Sequence, residues 1–168
     1  LDQYCPISLG SDWNLISRTI VPVVSTDSIP PGSGGEAGLG DTVQSLFLSP
    51  KQPTSGGWIW GTGPVFLLPT STDDTLGAGD WGAGVTGVAL RQQGPWTYGG
   101  LTNHIWDIGG DTDINQTLVQ PFLSYTTPTA WSFTINTEST YDWESEQWSV
   151  PVNVIASKVT QIGGQLVS

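Results

Sequence analysis

Trp131-Ser132-Phe133-Thr134-Ile135-Asn136-Thr137-Glu138 alternates a large apolar or methyl-bearing side chain with a polar one along its whole length. Successive side chains of a β-strand point to opposite faces. Trp131, Phe133, Ile135 and Thr137 therefore share one face, and Ser132, Thr134, Asn136 and Glu138 share the other. On a helix the same residues would mix around the surface. The pattern returns in Trp148, Val150, Val152, Val154 and Ala156, set against Ser149, Pro151, Asn153 and Ser157. It returns again in Trp58, Trp60, Phe66 and Leu68, opposed by Gly61 and Gly63, small residues that leave room on the second face.

Outward from these stretches, 22 Gly and 12 Pro among 168 residues, with many Ser and Thr, place a turn signal about every ten residues. Met is absent, Lys and Arg together number 4, and no stretch repeats apolar residues at helical spacing for three turns. The fold class is therefore all-β: an antiparallel up-and-down meander forming one domain over residues 1–168. Strands are predicted over Asp12–Thr26, Gly40–Ser49, Gly57–Pro69, Trp81–Arg91, Trp96–Trp106, Ile114–Tyr125, Ala130–Thr140 and Gln147–Gln161. Most have the roughly 9–11 residues that a tilted strand needs to cross a bilayer, against about 5–6 in ordinary soluble domains. Pro22, Pro64, Pro121 and Pro151 fall inside these spans, and each removes a ladder donor, so they are expected to mark bulges or strand ends.

Trp58, Trp81, Trp96, Trp106, Trp131 and Trp148 lie near strand ends, as does Trp13, where an interfacial aromatic girdle would put them. The plainer alternative is ordinary packing of aromatic side chains. The connections alternate in charge. Ser25–Leu39, Ser71–Asp80, Asp107–Asp113 and Tyr141–Glu146 fall at one end of a meander and carry most of the carboxylates. The acidic rim predicted there includes Asp73, Asp74, Asp80, Asp142, Glu144 and Glu146. Pro50–Gly56, Gln92–Pro95, Thr126–Thr129 and Ile162–Gln165 fall at the other end with no carboxylate, and Lys51, Arg91 and Lys158 are in or near them. An up-and-down barrel segregates its ends in this way, with the longer loops outward. These features together predict an outer-membrane-type β-barrel or part of one. Leu1 is not a Met, Leu1–Leu9 alternates without a preceding turn, and Gln165–Ser168 begins a new strand, so further strands are expected beyond both ends.

The motifs SDWNLISRTIVPVVS (Ser11–Ser25), GLGD (Gly38–Asp41), FLSP (Phe47–Pro50), GVAL (Gly87–Leu90), QPFLSYT (Gln120–Thr126) and NTESTYDW (Asn136–Trp143) occur in this order. Together the chain resembles a family of outer-membrane transporter-like proteins of Gram-negative bacteria. The resemblance implies a membrane β-barrel with additional strands and a signal peptide, and it carries over no catalytic residue.

A net charge of −11 with a pI near 4.1 excludes nucleic acid, because phosphate binding needs clustered Lys and Arg. The same shortage excludes a polybasic contact with lipid headgroups. Cys5 is the single cysteine and has no base partner in sequence, so it reads as an inert thiol. His104, the single imidazole, has too little company for a triad or a metal site and reads as a packed wall residue. No enzymatic site is expected, and no cofactor. Asp111, Asp113 and Asn115 have the first spacings of a calcium loop without its turn Gly or terminal Glu, which makes Ca or Mg at the acidic loops a candidate beside a solvated hairpin tip. Asn115-Gln116-Thr117 fits a glycosylation acceptor, of consequence only in a eukaryotic secretory pathway. Gly32, Gly34 and Gly35 open no helix and so cradle no phosphate.

Three functions follow as expectations. The first is an outer-membrane passive pore or transporter-like barrel with a cation-favouring acidic mouth, whose partners are the lipid bilayer and lipopolysaccharide. The second is an extracellular β-rich fibre or tube formed by self-association through open sheet edges. The third is a Trp-rich carbohydrate-binding β-sandwich.

Overall fold

The computed structural model describes residues 2–25, 37–73, 76–109, 113–158, 160–162 and 165–167. Its strands are β1 (Asp2–Leu9), β2 (Trp13–Ile20), β3 (Val23–Ser25), β4 (Ala37–Leu39), β5 (Thr42–Pro50), β6 (Trp58–Leu68), β7 (Trp81–Gln93) and β8 (Trp96–Gly109). They continue with β9 (Asn115–Thr126), β10 (Trp131–Thr137), β11 (Ser139–Asp142), β12 (Gln147–Ser149), β13 (Val152–Lys158), β14 (Thr160–Ile162) and β15 (Gln165–Val167). The main sheet runs β1-β2-β5-β6-β7-β8-β9-β10-β13, every neighbour antiparallel, so the fold is the all-β meander that the alternation implies. The sheet is not closed: β1 and β13 are its edges among the described residues. β3 pairs with β4 and β14 with β15 in two small separate ladders.

Two strands read as continuous in the sequence are divided here without losing register. On β9, Asn136 faces Phe122 and Ser139 faces Val119, three residues on along one strand and three back along the other. The same holds for Thr140 facing Ser149 and Thr137 facing Val152. β10 with β11, and β12 with β13, are thus single extended runs interrupted around Glu138 and at Pro151. Pro151 lacks an N–H, and its carbonyl accepts from the Glu138 N–H at 3.4 Å. The other prolines sort by the same logic. Pro22 ends β2, whereas Pro64 and Pro121 stay inside β6 and β9 by sparing one neighbour. Pairing passes through Pro64 to Val85 on β7 and is interrupted on the β5 side between Val65 and Thr62. It passes through Pro121 to Gly100 on β8 and is interrupted toward β10 and β11.

Leu1–Leu9 lies outside the eight strands predicted from the sequence. The structure pairs it along β2 from Asp2 opposite Ile20 to Leu9 opposite Trp13. Gly10, at φ 65, supplies the left-handed residue that closes this hairpin. The predicted strand Asp12–Thr26 stops at Ile20, and the short β3 follows Pro22.

Curvature comes from glycines on the concave side. A Cβ on Gly63 would strike the Leu46 carbonyl of β5, and one on Gly84 would strike the His104 carbonyl of β8. The strands approach there more closely than a side chain allows, and the sheet coils. Val65, Ile105 and Ile114 form the buried cluster on this concave face, with Val43 and Leu67 packed against it. Gly84→Ala is expected to force β7 and β8 apart and to lower stability by roughly 1–3 kcal/mol, measured by denaturant unfolding. An unchanged midpoint would show that curvature does not depend on this contact.

Candidate functional site

Residues opposite each other across an antiparallel ladder lie on the same face. On β8 the outward set is Trp96, Tyr98, Gly100, Thr102, His104 and Trp106, and their β7 partners from Gln93 to Ala83 share that face. The same bookkeeping through the sheet puts Leu48, Val119, Leu123, Ile135, Val152 and Val154 outward, all exposed. All nine tryptophans are exposed, from 38% for Trp58 and Trp60 to 61% for Trp148. Tryptophan is highly buried on average in soluble proteins, so this distribution is inside out.

The tryptophans also separate by height. Trp13, Trp58, Trp60, Trp96 and Trp131 lie toward the end of the sheet that carries the β5–β6 and β7–β8 turns. Trp81, Trp106, Trp143 and Trp148 lie toward the other. Each group is laced by ring contacts. At the first end Trp13 meets Trp60 edge-on at 6.2 Å, and Trp96 lies 4.8 Å from Tyr125. At the second, Tyr141 lies 4.8 Å from Trp143 and 4.9 Å from Trp148, and His104 lies 4.2 Å from Trp106. His104 Nδ1 shares a 2.6 Å hydrogen bond with Thr117 Oγ1, which also accepts from Trp143 Nε1 at 2.8 Å, so the imidazole is a packed wall residue. Trp96 and Trp106 are ten residues apart on one strand. At about 3.3 Å per residue, that separates the belts by about 33 Å along the strand.

The strand directions put Asp73, Asp80, Asp107, Asp113, Asp142, Glu144 and Glu146 at the Trp81–Trp106 end. Asp74 and Asp111 lie outside the described residues. Lys51, Arg91 and Lys158 lie at or toward the opposite end, joined by Asp12 in the β1–β2 turn, so the end expected to lack carboxylates carries one. Asp113 is exposed, and Asn115 Nδ2 donates to Glu144 Oε1 at 3.5 Å. Among the described residues no group of three or more His, Cys, Asp or Glu is disposed to hold a metal ion. The Ser145 hydroxyl donates to Asp142 Oδ2 at 2.8 Å, and this bond with the Glu144 N–H holds the Asp142 carboxyl below its ordinary value.

Asp41 is a rim residue of another kind, and sequence reasoning missed its role. It is buried, and its carboxylate accepts four backbone N–H groups: Thr70 and Ser71 on Oδ1 at 3.1 and 3.0 Å, Ala78 and Gly79 on Oδ2 at 2.6 and 3.1 Å. One side chain thereby gathers both ends of the β6–β7 loop. A Cβ on Gly77 would meet that carboxylate at 2.5 Å, so a glycine stands where the clamp is tightest.

The concave face encloses a cavity of about 530 Å³ to which all nine strands of the main path contribute, from Tyr4 on β1 to Ile155 on β13. Its wall is largely apolar, with Ile16, Phe47, Leu90, Leu101 and Phe122. A polar group gathers toward the acidic end. Arg18 is buried and pairs with Asp2, Nη2 to Oδ2 at 2.9 Å, beneath the Tyr4 ring. Glu138 lies within electrostatic reach of Arg18 from the far wall. No spacing in the sequence relates positions 2, 18 and 138.

No protein-family model matches the chain, no curated protein is significantly similar to it, and no solved structure matches it at a significant level.

Proposed function

We propose that the chain is the membrane-spanning wall of an outer-membrane-type β-barrel with a partly filled lumen, acting as a passive pore or transporter-like protein for a small solute. The observation that carries this reading is the exposed outer face, an aliphatic band between two belts that together hold every tryptophan of the chain. In water such a surface would far exceed the apolar patches that soluble monomers expose. In a bilayer, strands tilted by about 35–45° would set the belts roughly 23–27 Å apart, which matches a hydrocarbon band of about 25 Å with indole rings at headgroup depth. The carbohydrate-binding sandwich loses ground because its stacking platforms need a second packed sheet behind them, whereas the main path here is a single coiled sheet.

Reconstitution tests the proposal. The purified chain is expected to need detergent, to enter lipid vesicles, and to give conductance in planar bilayers that prefers cations, because the acidic mouth raises their local concentration. A chain that stays monomeric without detergent rejects the membrane reading, and an anion preference at low salt rejects the role of the acidic end.

The two edge strands favour a second reading. β1 and β13 present unpaired backbone groups among the described residues, and such edges are templates for pairing with another copy. Filaments with a repeat of about 4.8 Å, in place of ring-shaped particles in detergent, would select that alternative.

A further inference from the structure

Opposite residues share a face, so the outward set can be followed across the whole main sheet, from Leu9 on β1 to Lys158 on β13. The chain carries 15 Asp and Glu against 4 Lys and Arg, yet the outward set on these strands holds no carboxylate. Its two charged side chains are both cations, Arg91 and Lys158. Both lie toward the end that carries the β5–β6 and β7–β8 turns, among the tryptophans of that belt. A cation on the outer face of a barrel is tolerated near the interface and not at the midplane, so this placement has a physical reason.

The two cations differ in what they meet. Lys158 Nζ lies 5.4 Å from the centroid of the Trp131 ring, a contact within the wall itself. Arg91 is half-buried, and no described residue gives its guanidinium a hydrogen bond or an ion pair. It stands between Trp58 on β6 and Tyr98 on β8, its direct cross-strand neighbours, whose rings meet edge-on at 6.0 Å. A Cβ on Gly57 would lie 3.7 Å from Arg91 Nε, which sets the guanidinium against the β5–β6 turn, at the level of the belt. The Trp58 indole N–H and the Tyr98 hydroxyl likewise have no hydrogen-bond partner among the described residues. One positive charge and three sets of donors are thus gathered where no protein acceptor engages them.

We propose that Arg91, Trp58 and Tyr98 form a binding subsite for the phosphate of an anionic phospholipid. The inference rests on the barrel reading, which puts this belt at headgroup depth. A guanidinium pairs with a phosphate through two parallel N–H donors, and the aromatic rings beside it cover the glycerol and the first acyl carbons. Arg91 and Lys158 are four strands apart in the sheet, so the site is a single-cation contact and not a polybasic patch. A phosphatidylglycerol is preferred over a phosphatidylcholine, because the choline ammonium is repelled by Arg91 and no outward carboxylate attracts it.

Native mass spectrometry of the full chain in detergent tests this by counting bound dioleoyl phosphatidylglycerol, dioleoyl phosphatidylcholine and sn-glycerol 3-phosphate over a titration. Phosphatidylglycerol is expected to bind about tenfold more tightly than either of the others. Arg91→Gln is expected to bring it down to the level of phosphatidylcholine, whose own binding stays unchanged. Lys51→Gln removes the same charge at the same end, but the Lys51 ammonium is committed to the Gly10 carbonyl at 2.8 Å, so lipid binding is expected to hold. Far-ultraviolet circular dichroism confirms the sheet in each variant. Equal binding of the two lipids overturns the proposal, as does an Arg91→Gln chain that keeps its preference. An equal loss in Lys51→Gln reduces the effect to net charge, and equal binding of glycerol phosphate assigns the site to a free phosphate; either overturns it too. A chain that enters vesicles without discriminating the lipids loses the subsite and keeps the barrel, whereas one that stays monomeric without detergent loses both.

Discussion

Val85→Arg is expected to destabilise the protein in phosphatidylcholine vesicles by about 2–4 kcal/mol, the range for a cation placed on the lipid face at the bilayer midplane. Val85 lies on β7 between Trp81 and Arg91, faces outward with Pro64 and His104 as cross-strand neighbours, and is 58% exposed. If water covered that face, an exposed valine would accept arginine within about 0.5 kcal/mol, as surface substitutions generally do. The substitution therefore reports on the solvent outside the wall more directly than on packing within it. Ser55→Arg, in the exposed turn between β5 and β6, is the companion measurement and is expected to change little. Both are read from reversible urea titrations in vesicles. Equal, near-zero effects at the two positions would remove the bilayer from the account.

Asp41→Ala is expected to cost roughly 3 kcal/mol or more, because four backbone donors lose one charged acceptor at once. The loss is local before it is global. Hydrogen exchange at Thr70, Ser71, Ala78 and Gly79 is expected to accelerate strongly, while amides in the middle of β7 and β8 keep their protection. Asp41→Asn retains one carbonyl oxygen and is expected to protect one of the two amide pairs. Unchanged exchange at all four positions in Asp41→Ala would mean that the loop is held by other contacts. The clamp bears on the barrel reading because it fixes the loop joining two central strands at the acidic rim.

Much of the strand plan was legible because its signal is local. The two-residue period in Trp131–Glu138 and the turn signals at Gln92–Pro95 and Thr126–Thr129 depend on near neighbours alone. Strands β5 to β9 accordingly lie within a few residues of their predicted spans. The prolines were legible as interruptions but not in kind. Whether Pro64 ends a strand or spares one neighbour depends on which adjacent strand its missing N–H faces, and register decides that. β1 was harder still. Its alternating residues were visible, but its place depends on pairing with β2, where Tyr4 falls opposite Arg18.

By itself the sequence determined the all-β class, the up-and-down order, the near-absence of cations and the habit of tryptophan to sit near turns. Each follows from composition or from a period of two residues. Only the tertiary structure decided that every tryptophan faces outward, that Asp41 gathers the loop after β6, and that Asp2, Arg18, Asn136 and Glu138 line one cavity on the concave face. These depend on the coiling of the sheet, which the close approach of strands at Gly63 and Gly84 permits and which brings together residues more than a hundred positions apart. Contacts at that separation leave no spacing for a sequence to display, because what sets them is the summed curvature of all the intervening strands.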